Sequence, residues 1–140
     1  MKALVVDASV VAKWFFPEPD STAAVKLLSR RFQLIAPDLL WSEFGNIVWK
    51  RVGRGEITAD EGSAVVEDFL RVPVESLSAA RLLPAALELA VTTGRTVYDS
   101  LYLALAMERS CHVATADERM VNALAGTPLG KYLRLVTTVR

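Results

Sequence analysis

Asp7 in Val-Val-Asp-Ala-Ser, Glu43 in Trp-Ser-Glu-Phe, Asp99 in Val-Tyr-Asp-Ser-Leu and Asp117 in Thr-Ala-Asp-Glu are the residues whose types and settings point to chemistry. Far apart in sequence, they would repel one another if a fold gathered them. A divalent cation that prefers hard oxygen ligands would relieve that repulsion. Such a centre suits metal-assisted attack of water on a phosphodiester. Each acid also has an ordinary explanation. Asp7 and Asp117 could cap the helices that follow them. Thr96-x-x-Asp99 has the capping-box spacing, with Asp in place of the usual Glu or Gln. Glu43 could be a solvated helix glutamate, although Trp41 and Phe44 flank it. Asp7 lies between Val6 and Ala8, where a carboxylate is costly to bury without a partner, and that favours a ligand over a cap.

The other polar residues divide quickly. Asp60, Glu61, Glu67 and Asp68 read as one solvated helix face, and Glu18, Asp20 and Asp38 as turn or cap residues. Glu118, beside Asp117, is a further candidate ligand. Arg95 and Arg119 lie near two of the key acids and are candidate contacts for phosphate, with solvated charge as the alternative. Lys50 and Arg51 read as helix C-terminal charge. Trp14, Trp41 and Trp49 lack interleaved basic residues, so they read as core or interface rather than base-stacking platforms. Cys111 and His112 each occur alone, which excludes an internal disulfide and a four-ligand zinc site, and no Gly-x-Ser-x-Gly elbow supports a serine triad.

The elements that must position these acids follow from periodicity and punctuation. Apolar strands are expected at residues 3–6, 34–36, 73–75, 113–115 and 133–137. Helices are expected at 9–16, 20–31, 39–52, 59–70, 82–93, 98–109 and 118–124. Asp38 is the expected N-cap of the third helix, Thr58 and Glu61 form a capping box for the fourth, and Pro84 is tolerable in the first turn of the fifth. Short apolar strands alternating with helices indicate an α/β domain with a mostly parallel sheet, in which ligands bind at the carboxyl ends of the strands. Asp7 and Asp117 then fall at that edge, and Glu43 and Asp99, in early helical turns, can point the same way.

The 140 residues make one domain spanning 1–140, with 16 basic and 16 acidic residues and a formal net charge of zero, so long-range charge does not announce a nucleic-acid partner. No uncharged apolar run is long enough to span a membrane. The Met-Lys-Ala-Leu-Val-Val start is interrupted by Asp7 and Lys13, so it reads as a strand rather than a signal peptide, and a cytoplasmic location is expected. Mean hydropathy is +0.30, an apolar surplus that a partner or a second copy could cover.

With these motifs in order, the chain resembles the PIN-domain ribonucleases, specifically the VapC-type toxins of toxin–antitoxin pairs. The matching segments are Val-Val-Asp7-Ala-Ser9-Val-Val-Ala-Lys-Trp-Phe, Pro37-Asp-x-x-x-x-Glu43, Tyr98-Asp99-Ser-Leu-Tyr-Leu-Ala-Leu-Ala and Thr115-Ala-Asp117. The resemblance implies a three-layer α/β/α sandwich around a five-stranded, mostly parallel sheet. It implies a magnesium- or manganese-dependent endoribonuclease whose acidic quartet is Asp7, Glu43, Asp99 and Asp117, supported by Ser9 and Thr115. It also implies RNA as substrate, a VapB-type antitoxin as partner, and a homodimer. Three alternatives stand beside it. The chain could be a PIN nuclease that processes RNA without an antitoxin. It could be a phosphohydrolase with Asp7 as covalent nucleophile, a scheme that normally wants a second Asp where this chain has Ser9. It could also be a non-catalytic module whose acids only cap helices.

Overall fold

The structure, a computed structural model, describes residues 1–140. Five strands, β1 (Lys2–Val6), β2 (Phe32–Pro37), β3 (Val74–Leu77), β4 (His112–Thr115) and β5 (Leu133–Leu135), form one sheet in the order β3-β2-β1-β4-β5. Every pairing is parallel, with Val5 of β1 opposite Ile35 on one side and Val113 on the other. Seven α-helices flank the sheet: α1 (Ala8–Phe15), α2 (Ser21–Val25), α3 (Leu39–Gly53), α4 (Ala59–Leu70), α5 (Ala79–Thr93), α6 (Val97–Arg109) and α7 (Glu118–Leu124).

The connections explain the layers. From β1 to β2 to β3 the chain steps one way across the sheet, and from β3 to β4 to β5 it steps the other way. Right-handed crossovers therefore put α1–α4 on one face and α5–α7 on the other. On the first face, Phe15 and Phe44 from α1 and α3 pack on Phe69 of α4, with ring centroids 6.0 and 4.8 Å away, and Trp41 stacks on the same ring. On the second, α6 packs against β1, β2 and β4, with α5 laid over it. Every residue of α6 from Ser100 to Ala106 is buried, which is why its hydrophobic pattern runs all round the helix. Leu4, Val5, Val6, Val113 and Ala114 are also buried, as strands covered on both faces must be.

Several boundaries differ from the sequence expectation. The expected 20–31 helix stops at Val25 and tightens into a single 3-10 turn over Lys26–Leu28, and Asp20 sits at φ +67° without capping it. Asp38 does not cap α3; its Oδ1 instead accepts the Ala79 N–H at 3.0 Å, tying the end of β2 to the start of α5. Helix α5 begins three residues early because Ser78 caps it, so Pro84 falls in the second turn. Pro84 and Ala80 are both exposed there, and water can satisfy the carbonyl that the missing N–H leaves free. The last strand is three residues long and passes into a 3-10 turn over Val136–Thr138. Trp14 and Trp41 are half-buried in the core as expected, but Trp49 is 69% exposed. The Thr58–Glu61 capping box is present with both of its bonds.

Candidate active site

The strand order reverses between β1 and β4, and the crevice beyond their carboxyl ends is where an open α/β sheet holds ligands. A cavity of about 240 Å³ opens there, and Asp7, Ser9, Glu43, Asp99, Tyr102 and Asp117 all line it. Asp7 follows the last residue of β1, and Asp117 lies two residues past β4. Glu43 is one turn into α3, and Asp99 is in the first turn of α6. Larger cavities exist, but none of them is lined by an Asp or by more than one acid.

Asp7 is the organising residue. Its Oδ1 accepts the Ser9 hydroxyl at 2.5 Å and the Val10 N–H at 3.1 Å, and its Oδ2 accepts the Thr115 hydroxyl. Those hydroxyls accept in turn: Ser9 Oγ from the Ala116 N–H at 3.0 Å, and Thr115 Oγ1 from the Asp117 N–H at 3.0 Å. One carboxylate thus pins the turn that carries Asp117. A carboxylate has about four lone-pair sites, so these bonds leave one on Oδ2. Capping and ligation are therefore compatible at Asp7. The same holds at Asp117, whose Oδ1 caps α7 through the Met120 N–H at 3.2 Å while Oδ2 lies 3.8 Å from Arg95. Burial raises the Asp7 pKa above the ordinary carboxylate value. The Ser9, Thr115 and Val10 bonds oppose that rise, and Asp117 adds to it.

Glu43 accepts the Tyr102 hydroxyl at 2.5 Å, a bond that links the two helical layers over the end of the sheet. Its pKa is raised, first by burial and then by the charges of Asp7 and Asp99 against the lowering bond from Tyr102. Burial and Glu43 also push the Tyr102 hydroxyl far up, so it remains a donor. Tyr102 is the residue that the sequence reading missed. Its signal was its place three residues after Asp99, on the same face of α6.

Arg95 supplies the positive charge of the cluster. Its Nη2 lies 2.9 Å from Asp99 Oδ2 and 3.8 Å from Asp117 Oδ2, and its Nε is buried without a partner. The Thr96–Asp99 capping box is accordingly half formed: Thr96 accepts the Asp99 N–H at 3.1 Å, while the Asp99 side chain turns to Arg95. Arg119 and Glu118 are exposed and do not line the cavity.

No three His, Cys, Asp or Glu side chains stand close enough to enclose a cation by themselves. The donor set is nevertheless all hard oxygen, and Arg95 already bridges two of the acids as a cation would. Magnesium keeps several waters and takes only one or two carboxylates directly, so this donor set fits a magnesium-like ion rather than a fully protein-made cage.

Comparison with known proteins follows the same lines. The sequence profile of the PIN domain matches residues 4–125. Ribonuclease VapC3 of Pyrobaculum aerophilum is 36% identical over 121 residues, which cover 84% of this chain and 91% of the relative. Among solved structures, Mycobacterium tuberculosis VapC20, a sarcin–ricin-loop-cleaving toxin, superposes with a TM-score of 0.66 at 16% identity, covering 86% of this chain and 94% of the other. A toxin–antitoxin complex from Klebsiella pneumoniae gives 0.68 at 12% identity over 97% and 99%. At those identities the structural likeness speaks for the fold.

Proposed function

The chain belongs to the PIN-domain family, and from that premise we propose that it is a VapC-type endoribonuclease, dependent on magnesium or manganese, acting as the toxin of a toxin–antitoxin pair. The observation that carries the reading is the single cavity at the β1/β4 switch point lined by Asp7, Glu43, Asp99 and Asp117. In this proposal Asp7 and Asp99 would hold the ion directly, and Asp117 and Glu43 would hold it through water or hold a second ion. When bound, the metal supplies acidified water and positive charge opposite the scissile phosphate. Ser9 and Thr115 fix the rotamer of Asp7 and the turn bearing Asp117. Glu43, poised by burial and held by Tyr102, orients the attacking water and takes its proton. Arg95, which now pairs with Asp99 and Asp117, would be the inner contact for a phosphate oxygen, and Arg119 an outer one.

The partner reading has its own support. No helix is long and apolar enough to cross a membrane. Leu83, Leu87 and Val91 form an exposed stripe at four-residue spacing on α5, and Trp49 borders a groove between α3 and α4. These are two apolar faces for the two associations proposed, a VapB-type antitoxin and a second copy, in the cytoplasm.

The test is cleavage of a mixed cellular RNA pool with and without Mg²⁺ or Mn²⁺, with Asp99→Asn purified in parallel. Wild type should cut only with metal, and Asp99→Asn should lose nearly all cutting while keeping its fold. Equal cutting by the variant would overturn the assignment.

A further inference from the structure

The candidate catalytic acids and one group of bases without an Asp or Glu partner lie at opposite edges of the sheet. At the edge where the strands begin, a cavity of about 520 Å³ is lined by Lys2, Arg109, His112, Lys131, Tyr132 and Arg134. A second cavity of about 270 Å³ adjoins it and shares Lys2, His112 and Arg134. No Asp or Glu lines either one. Of these cations only Arg109 pairs with an Asp or Glu side chain, Glu75 at 3.3 Å. Arg134 is held by carbonyl oxygens, Leu133 at 2.8 Å and Lys131 at 3.3 Å, which fix its guanidinium without neutralising it. Lys2 donates to the main-chain oxygen of Arg140 at 3.4 Å, and Lys131 lies over the Tyr132 ring, 5.2 Å from its centroid. The field of this group is felt at His112, whose pKa is lowered by burial and then by Arg134 and Lys2.

Concentrated positive charge in a concave site, on a chain whose net charge is zero, calls for an anion. The edge with the candidate catalytic acids repels phosphate until a cation is bound, so it cannot supply the affinity for a polyanion. Lys2 and Asp7 are the two ends of one strand and its exit, about 17 Å apart at the usual rise. A free phosphate would reach only one edge, whereas a flexible strand of phosphodiesters can engage both.

We propose that the cavity at the amino edge of the sheet, built by Lys2, Lys131 and Arg134 around His112, grips the phosphodiester backbone of the single-stranded RNA whose cleavage is assigned to the opposite edge. The identity of the ligand rests on the nuclease reading above, but the grip itself does not require cleavage.

The experiment measures binding of a fluorescent mixed-sequence single-stranded RNA in EDTA, across a salt titration. Each phosphate contact to a single strand contributes about 0.7 to the slope of log affinity against log salt. Lys131→Gln combined with Arg134→Gln should therefore lower the slope by about 1.4 and weaken binding about tenfold. Lys2→Gln with Lys131→Gln changes two exposed side chains and should do the same if loss of Arg134 disturbs the fold. An unchanged slope in both pairs would overturn the proposal. So would an equal loss from Lys50→Gln with Arg54→Gln, which removes the same charge elsewhere. Because His112 is the only histidine, its imidazole signals read the cavity directly by NMR. RNA should raise its pKa, inorganic phosphate at the same phosphate concentration should do so far less, and no RNA effect would overturn the assignment. Metal-dependent cleavage with an unchanged slope would leave the nuclease reading intact and remove this one. A lowered slope without any cleavage would do the reverse.

Discussion

At Asp7 the choice between helix cap and metal ligand dissolves, because one oxygen caps while the other keeps a free site. The sequence made that residue legible: a carboxylate between Val6 and Ala8 had to be doing something. Its partners were not legible from spacing, since Thr115 lies 108 residues away and only a fold can bring it near. Arg95 is the clearer instance. Its nearness in sequence to Asp99 suggested a contact with phosphate, and the structure places it across Asp99 and Asp117. A guanidinium in that position competes with any cation for the same oxygens. Arg95→Gln should therefore tighten Mn²⁺ binding several-fold, measured by calorimetry, and lower the melting temperature of the metal-free protein, where the acids lose their counter-charge. Weaker Mn²⁺ binding in the variant would show that Arg95 assists the ion rather than opposing it.

Among the elements, those set by strong local signals appear where the sequence put them. The Thr58–Glu61 box opens α4, Asp117 opens α7, and the apolar run after Thr96 is α6. The expected Asp38 cap failed because a tertiary partner takes its carboxylate, the Ala79 N–H, whereas the early start of α5 is a local cap at Ser78 that periodicity overlooked. A close approach of two segments is equally invisible in one dimension. A Cβ at Gly130 would stand 2.7 Å from the Leu124 carbonyl oxygen and 3.1 Å from Ala125, both of them backbone. Gly130→Ala should thus cost about 1–3 kcal/mol by forcing the end of α7 away from the turn that feeds β5, measurable by urea denaturation. At Gly62 the neighbours at 3.1 Å are Val48 and Val52 side chains, which can move, so Gly62→Ala should cost less.

For the whole molecule, the separation of charge has a thermodynamic consequence. Asp7 and Glu43 have raised pKa values in the folded chain, so folding binds protons at these sites more tightly than the unfolded chain does. Their contribution is full below the ordinary carboxylate value and is lost as pH rises through the raised one. His112 has the opposite sign: its lowered pKa makes stability fall as pH drops below about 6.5. The metal-free protein should therefore be squeezed from both directions. Glu43→Gln should raise its melting temperature near neutrality and change it little well below pH 4.5, by differential scanning calorimetry in EDTA. A variant less stable than wild type near neutrality would show that the Tyr102 bond outweighs the repulsion. The α/β class with its mostly parallel sheet was readable from alternation, and the three layers from the resemblance; the charge separation was not, because a net charge of zero conceals it.

The sheet order bears on when the site can exist. Asp7 leaves the ribosome just after β1, the first strand, but β4, which supplies Thr115 and leads to Asp117, is translated more than a hundred residues later. A nascent chain halted anywhere before β4 carries Asp7 with neither its hydroxyl partner nor the second edge of its cavity. Synthesis itself thus keeps the acidic centre unassembled until β4 has emerged and closed the middle of the sheet.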